Sequence, residues 1–270
     1  MNEQNGHFPV ENGELFFQSA GGGDPVVFLH GFGFDRRMWT PQFELFGSTF
    51  RVITYDLRGF GRSSLPPEAG YAHEDDLNAL LSGLNAAPAH VVGLSMGGRM
   101  ALRFAAAYPQ SVRSLVLADS ALDGQTWSGD WQMRWMRMCA AAKAGDLAKA
   151  RRRWLEHPLF DSARAEPSSA SLLEKMVEDY NGWHWHNNDT ARVPEPPLAE
   201  RLGKIQVRAL VITGANDIPD FQSVASLLAE GLPVVNRSII QGSGHMVNLE
   251  VPSEFNAALQ CFWHTSQNLR

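Results

Sequence analysis

The chain is poor in sulfur and in basic clusters. It holds two cysteines, Cys139 and Cys261, far apart and outside any C-x-x-C spacing. That usage argues for two free thiols in a reducing cytoplasm rather than a disulfide framework. The longest basic run is Arg151-Arg152-Arg153, which reads as a solvated helix face, and the formal net charge is −6. Neither nucleic acid nor an anionic membrane surface is therefore expected as a partner. No apolar run approaches the ~20 residues needed to span a bilayer. The polar, acidic opening MNEQNGHFPVENGELFF lacks both the basic and the apolar region of a secretory signal. Repeats and low-complexity tracts are missing too.

What is there is an ordinary globular composition: 270 residues, 44% hydrophobic and 19% charged. That length buries one large core, or one core with an inserted subdomain. Short apolar runs at 15–20, 25–30, 50–56, 90–94, 112–119, 207–214 and 234–242 read as strands. The later ones are continuous in Val, Ile and Leu, as parallel strands covered on both faces require. Helical patterns at 73–86, 96–109, 221–233 and 252–265 fall between them, and the alternation predicts a doubly wound α/β sheet.

Between 121 and 202 the rhythm changes. No buried strand is evident, and six of the eight tryptophans fall here: Trp127, Trp131, Trp135, Trp154, Trp183 and Trp185. Trp127, Trp131, Trp135 and Met138 recur at i, i+4, i+8 and i+11, one stripe of a helix. The stripe is expected to pack this segment onto the main domain while part of it roofs an apolar pocket. The division that follows is a core of 1–120 and 203–270 with a helical insert at 121–202, closed by the stiff stretch VPEPPLAERL (193–202).

Ser95 lies in Gly93-Leu94-Ser95-Met96-Gly97, after one expected strand and before one expected helix. A G-x-S-x-G on a strand-to-helix turn lifts the serine hydroxyl clear of the sheet, beside the free N–H groups of a helix start. A serine hydroxyl needs a base. His245 is the candidate, alone among nine histidines in a glycine-rich loop between a final strand and a final helix. The orienting carboxylate is assigned to Asp217, in VITGANDIPD, with Asp220 and, more weakly, Asp119 as competitors. The N–H groups of Met96 and Phe32, the latter in VVFLHGFGF, are candidates for holding an oxyanion. His90 is expected to be structural, and His184 and His186 lack a third metal ligand, so no metal is expected. The pocket is expected to draw on Trp127, Trp131, Trp135, Trp183, Trp185, His184 and Met246. Arg58, Arg99 and Arg134 are possible partners for a substrate carboxylate, with surface or structural roles expected for each.

HGFGFDRRMW, DLRGFGRS (56–63), GLSMGG, TGANDIPD and GSGHMVNLEVPSEF together resemble the successive signatures of the α/β-hydrolase family, spanning Val26 to Phe255. The resemblance implies an α/β-hydrolase fold: a mostly parallel eight-stranded sheet flanked by helices, an inserted helical cap, and catalysis without metal or cofactor. Within the family the chain looks most like the small cytoplasmic branch of carboxylesterases and 3-oxoadipate enol-lactone hydrolases. A serine at position 95 speaks against the branches with an aspartate there. The expected activity is cleavage of a small to medium, partly apolar ester or lactone through an acyl-enzyme. Carbon–carbon bond hydrolysis, perhydrolysis and a ligand receptor on the same fold are the alternatives. The segment DYNGWHWHNND (179–189) matches no substrate motif.

Overall fold

The structure is a computed structural model that describes residues 3–267. Its strands are β1 Gln4–Val10, β2 Gly13–Ala20, β3 Pro25–Leu29, β4 Arg51–Tyr55, β5 Ala89–Leu94, β6 Val112–Ala118, β7 Ala209–Gly214 and β8 Val235–Ile240. They form one sheet in the order β1-β2-β4-β3-β5-β6-β7-β8, with β2 antiparallel to both neighbours and every pair from β4 to β8 parallel. Val26, Val27, Val91, Val92, Leu115, Val116 and Ile212 have no exposed surface. A strand whose successive residues are all apolar is stable only with both faces covered, which is why these runs form the middle of the sheet.

Helices α1 Thr40–Phe46, α2 His73–Gly83 and α3 Met96–Ala107 follow the early strands, and α9 Pro219–Gly231, α10 Val247–Glu250 and α11 Pro252–Gln267 the late ones; α4 Gly129–Lys143, α5 Leu147–Leu155, α6 Asp161–Ala165, α7 Pro167–Asp179 and α8 Trp183–His186 all lie between β6 and β7. The stretch without strands in the sequence is thus a set of helices inserted after β6. Trp127 lies ahead of α4 rather than on it, and continues the stripe by stacking on Trp131 with ring centroids 4.3 Å apart. Met138 faces inward, as its place in the stripe requires. No described helix is long and apolar enough to cross a membrane.

One strand escapes the sequence pattern. β1 is paired along its whole length with β2, yet only Phe8 and Val10 supply an apolar alternation, too short to mark a strand. The sheet reverses its winding between β3 and β5. Leu29 pairs with Gly93, which sets the loop after β3 against the turn after β5 at the carboxyl ends of both strands. Open α/β sheets form their ligand crevice at such a reversal.

Candidate active site

Ser95 links β5 to α3 with φ 57° and ψ −117°, a conformation that a non-glycine residue holds only under constraint. Its N–H donates to Ala118 O (3.0 Å), and its own carbonyl accepts from Ala121 N (3.1 Å) and Arg99 N (3.1 Å). The flanking glycines are steric necessities. A Cβ on Gly93 would lie 2.2 Å from Gly97 O, and one on Gly97 would lie 2.1 Å from Leu29 O. The turn closes because these backbones touch. Met96 follows as the first residue of α3.

The loop after β3 is fixed from below by a residue that motif reading passed over. His30 is fully buried and accepts from Leu57 N at Nε2 (2.9 Å), so its Nδ1 carries the proton and donates to Gly31 O (2.9 Å). Burial lowers its pKa, which keeps the ring neutral and this tautomer in place. Asp56 then accepts from Arg36 N and Arg62 N (2.9 Å each), binding the two glycine-rich loops together. Phe32 is held between them.

His245 Nδ1 donates to Asp217 Oδ2 at 2.8 Å, and both side chains are almost wholly buried. Asp217 Oδ1 accepts from Ile218 N (2.7 Å). Glu250 braces the histidine loop from both sides, accepting from Gly244 N (2.5 Å) and Met246 N (2.9 Å), and it also accepts from Ser162 of the insert (2.6 Å). Asp220 is engaged elsewhere: it accepts from Ser128 N (2.7 Å) and Ser128 Oγ (2.9 Å) and anchors the start of the insert.

Asp119 is the third member of a buried group. Oxygens of Asp119 and Asp217 and a ring nitrogen of His245 all lie within 4.8 Å of one another. Asp119 Oδ1 accepts from Gly214 N (2.9 Å), while its Oδ2 is buried with no hydrogen-bond partner among the described residues. Burial first, and then the Asp217 carboxylate, push the Asp119 carboxyl well above the usual range.

A cavity of about 460 Å³ opens above this edge, lined by Ser95, Met96 and Phe32 below. The insert supplies the roof: Trp127, Trp131, Trp135 and Trp154, with His184 at one end. Phe221 also lines it and touches the His245 ring at a centroid distance of 4.2 Å, so the histidine lies directly behind the cavity wall. His184 stacks on Phe60 (4.4 Å) and its Nδ1 hydrogen-bonds Tyr180 OH (2.9 Å); burial lowers its pKa to about 4. Trp183, Trp185 and Met246 lie outside the lining. The short α8 turns His184 toward the cavity, which leaves Trp185 buried against Tyr180 (4.9 Å) and Trp183 packed on the outer edge of His184 (4.9 Å). Met246 is fully buried in the core, behind its loop.

The arginines also separate. Arg58 is buried and doubly bonded to Asp76 (2.6 and 2.9 Å), and Arg134 pairs on the surface with Asp130 (2.7 Å). Arg99, expected in a surface or structural role, instead lines the cavity. His90 bonds Ser114 Oγ (2.7 Å), a structural position.

A hydroxyl on a strained turn, a buried His–Asp pair behind the same cavity and a helix start beside the hydroxyl are the parts from which acyl transfer is assembled. The family model for the alpha/beta hydrolase fold matches residues 24–252. The chain is 28% identical to a 3-oxoadipate enol-lactonase of Acinetobacter baylyi over 235 residues, covering 85% of each chain. Its fold is similar to that of a thermophilic esterase from Thermogutta terrifontis, with TM-score 0.80, 24% identity and 97% and 98% of the two chains covered. It is also similar to that of the enol-lactonase from Burkholderia xenovorans, with TM-score 0.80, 22% identity and 96% and 100% covered. With the sheet order, the turn at Ser95 and a family match across most of its length, the chain belongs to the alpha/beta hydrolase family.

Proposed function

We propose that this hydrolase cleaves carboxylic esters or lactones through an acyl-enzyme on Ser95. Ser95 Oγ attacks the substrate carbonyl while His245 Nε2 takes its proton, and Asp217 holds the resulting imidazolium in orientation. The N–H groups of Phe32 and Met96 receive the developing oxyanion. Collapse of the tetrahedral adduct breaks the carbon–oxygen bond, and His245 returns the proton to the departing alkoxide. Water then attacks the acyl-enzyme by the same route and frees the acid. The helical insert acts as the cap over a small, partly apolar substrate.

The observation that carries this reading is the Ser95 backbone, held at φ 57° on the floor of an aromatic-roofed cavity. A strained residue is kept where function uses it. The hydrogen bond from His245 to Asp217 supports the choice of acid over Asp220. Similarity to a protein named as an enol-lactonase supports an ester bond as the target.

The test is hydrolysis of p-nitrophenyl esters from acetate to decanoate, with wild type beside Ser95→Ala. Expected is cleavage peaking at one chain length and falling by about 10⁴-fold or more in the variant. Retention of a tenth of the wild-type rate by Ser95→Ala would sink the assignment.

A further inference from the structure

The segment DYNGWHWHNND (179–189), which matches no substrate motif, serves the scheme above only as wall. It nevertheless gathers three polar side chains at one end of the cavity. His184 and Asp189 both line that cavity, and Tyr180 stands behind His184.

The hydrogen bonds fix the tautomer of the histidine. Tyr180 OH accepts from the His184 backbone N–H (3.1 Å) and has no other acceptor for its own proton among the described residues. That proton therefore goes to His184 Nδ1 (2.9 Å), and the ring's own proton sits on Nε2. Burial lowers the pKa to about 4, so at neutral pH this N–H is a permanent, uncharged donor. The ring is also held in place. It stacks on Phe60 at 4.4 Å, and a Cβ on Gly59 would lie 2.3 Å from its Cε1.

Nε2 makes no hydrogen bond among the described residues. Asp189 Oδ2 is 3.8 Å away, too far for one. Asp189 Oδ1 accepts from Tyr71 OH (3.1 Å) and Ala191 N (3.0 Å), whereas Oδ2 has only a long contact from the same hydroxyl (3.4 Å). The Asp189 side chain keeps 35% of its surface accessible, which places it at the cavity mouth. A fixed donor and a carboxylate acceptor thus face each other across a gap that one oxygen atom, about 2.8 Å from each, would bridge. The bridging group must accept on one side and donate on the other. A hydroxyl does both. An ether or carbonyl cannot donate to Asp189, an ammonium cannot accept from Nε2, and a second carboxylate would meet Asp189 with like charge.

We infer that His184 and Asp189 bind a hydroxyl group of the substrate and so select for a hydroxyaryl ester. The aryl part follows from the lining. Phe32, whose N–H is the proposed oxyanion donor, sets its ring edge-on to His184 at 5.8 Å. The pair therefore lies one aromatic side chain away from the reacting carbonyl. Trp127, Trp131, Trp135 and Trp154 complete walls against which an aryl ring packs by edge or offset face. This inference rests on Ser95 being the nucleophile of the cavity.

The probes are the p-nitrophenyl esters of 2-, 3- and 4-hydroxyphenylacetate, their methoxy counterparts and plain phenylacetate. In wild type, kcat/KM for one hydroxy isomer is expected to exceed that for phenylacetate and for its methoxy counterpart by about tenfold or more, mainly through KM. With phenylacetate as the reference in each variant, His184→Phe is expected to bring the ratio to within about twofold of unity, and Asp189→Ala to lower it about threefold. A wild type that prefers no hydroxy isomer, a methoxy ester taken equally well, or a preference that survives in His184→Phe overturns the inference and leaves ester hydrolysis intact. Where His184→Phe does not fold, Asp189→Ala decides, and a ratio unchanged there overturns the inference. Failure of the wild type to cleave any of these esters overturns the proposed function instead. Calorimetry with the three hydroxyphenylacetamides and phenylacetamide then decides. Binding of one hydroxy isomer about fivefold tighter supports the hydroxyl site, and equal or no binding overturns it.

Discussion

At the carboxyl edge of the sheet the site is made of backbone; in the insert it is made of rings. Around Ser95, carbonyls and amides approach so closely that a single methyl group on Gly97 would sit 2.1 Å from Leu29 O. In the insert, Trp127, Trp131, Trp135 and Trp154 meet one another and Phe32 through edges and faces at 4.3 to 6.5 Å. The first kind of contact has no tolerance, since a backbone cannot change its shape by choosing another rotamer. The second kind adapts, because aromatic side chains repack around a different neighbour at modest cost. The edge is therefore suited to holding reacting groups at fixed distances, and the insert to setting which molecules reach them.

The two candidate acids draw the contrast most sharply. Asp217→Asn removes the charge facing His245 and should lower kcat by about 10³- to 10⁴-fold on the best p-nitrophenyl ester. Asp220→Asn only loosens the tie to Ser128 and should change kcat by no more than a few fold. The reverse ranking would mean that the hydrogen bond at 2.8 Å is not the working one. The glycines give the next largest effect. Gly97→Ala should cost about 3 kcal/mol or more, or prevent folding. Gly129→Ala at the start of α4, where nothing lies within 4 Å, should be neutral or gain a few tenths of a kcal/mol. Urea unfolding of the pair checks this, and equal losses would erase the distinction between edge and insert.

Trp135→Ala enlarges the roof. It should shift the preferred acyl chain to longer esters and raise KM for short ones by about tenfold, with kcat changed less. A proportional loss on every chain length would show that the ring serves stability rather than selection. The smallest effect concerns pH. His157 and His184, both in the insert, have pKa values lowered to about 4, in each case chiefly by burial. In the unfolded chain a histidine titrates near ~6.5. The unfolded state thus binds more protons between pH ~6.5 and 4, so their contribution is whole above that window and is lost as pH falls through it. Unfolding free energy should decline by on the order of 1 kcal/mol per pH unit below pH 6.5. A flat profile from pH 7 to 5 would contradict it.

The same contrast explains what the sequence made legible. Glycines 93 and 97 and the serine between them were readable because a close backbone approach admits only one residue type. The central strands were readable because both faces are covered. β1 was not, since only Phe8 and Val10 of its residues pack against the core, and the rest of the strand is polar or small and held by pairing with β2. His30 and Glu250 went unread because their roles depend on partners 27 and 6 residues away, which no local pattern reports; Asp119 was read only as a rival acid, because its bond to Gly214 N lies 95 residues away. In the insert the tryptophan stripe foretold an aromatic face, but four-residue α8 carries too little periodicity to tell His184 from Trp183 and Trp185.

The φ of 57° at Ser95 has an implication for durability. Only glycine adopts that conformation at ease, so the fold would be sturdier with the serine replaced by glycine. Ser95→Gly should melt above the wild type while turning over nothing. On the proposed mechanism, the reacting hydroxyl sits on a backbone that stability alone would not select.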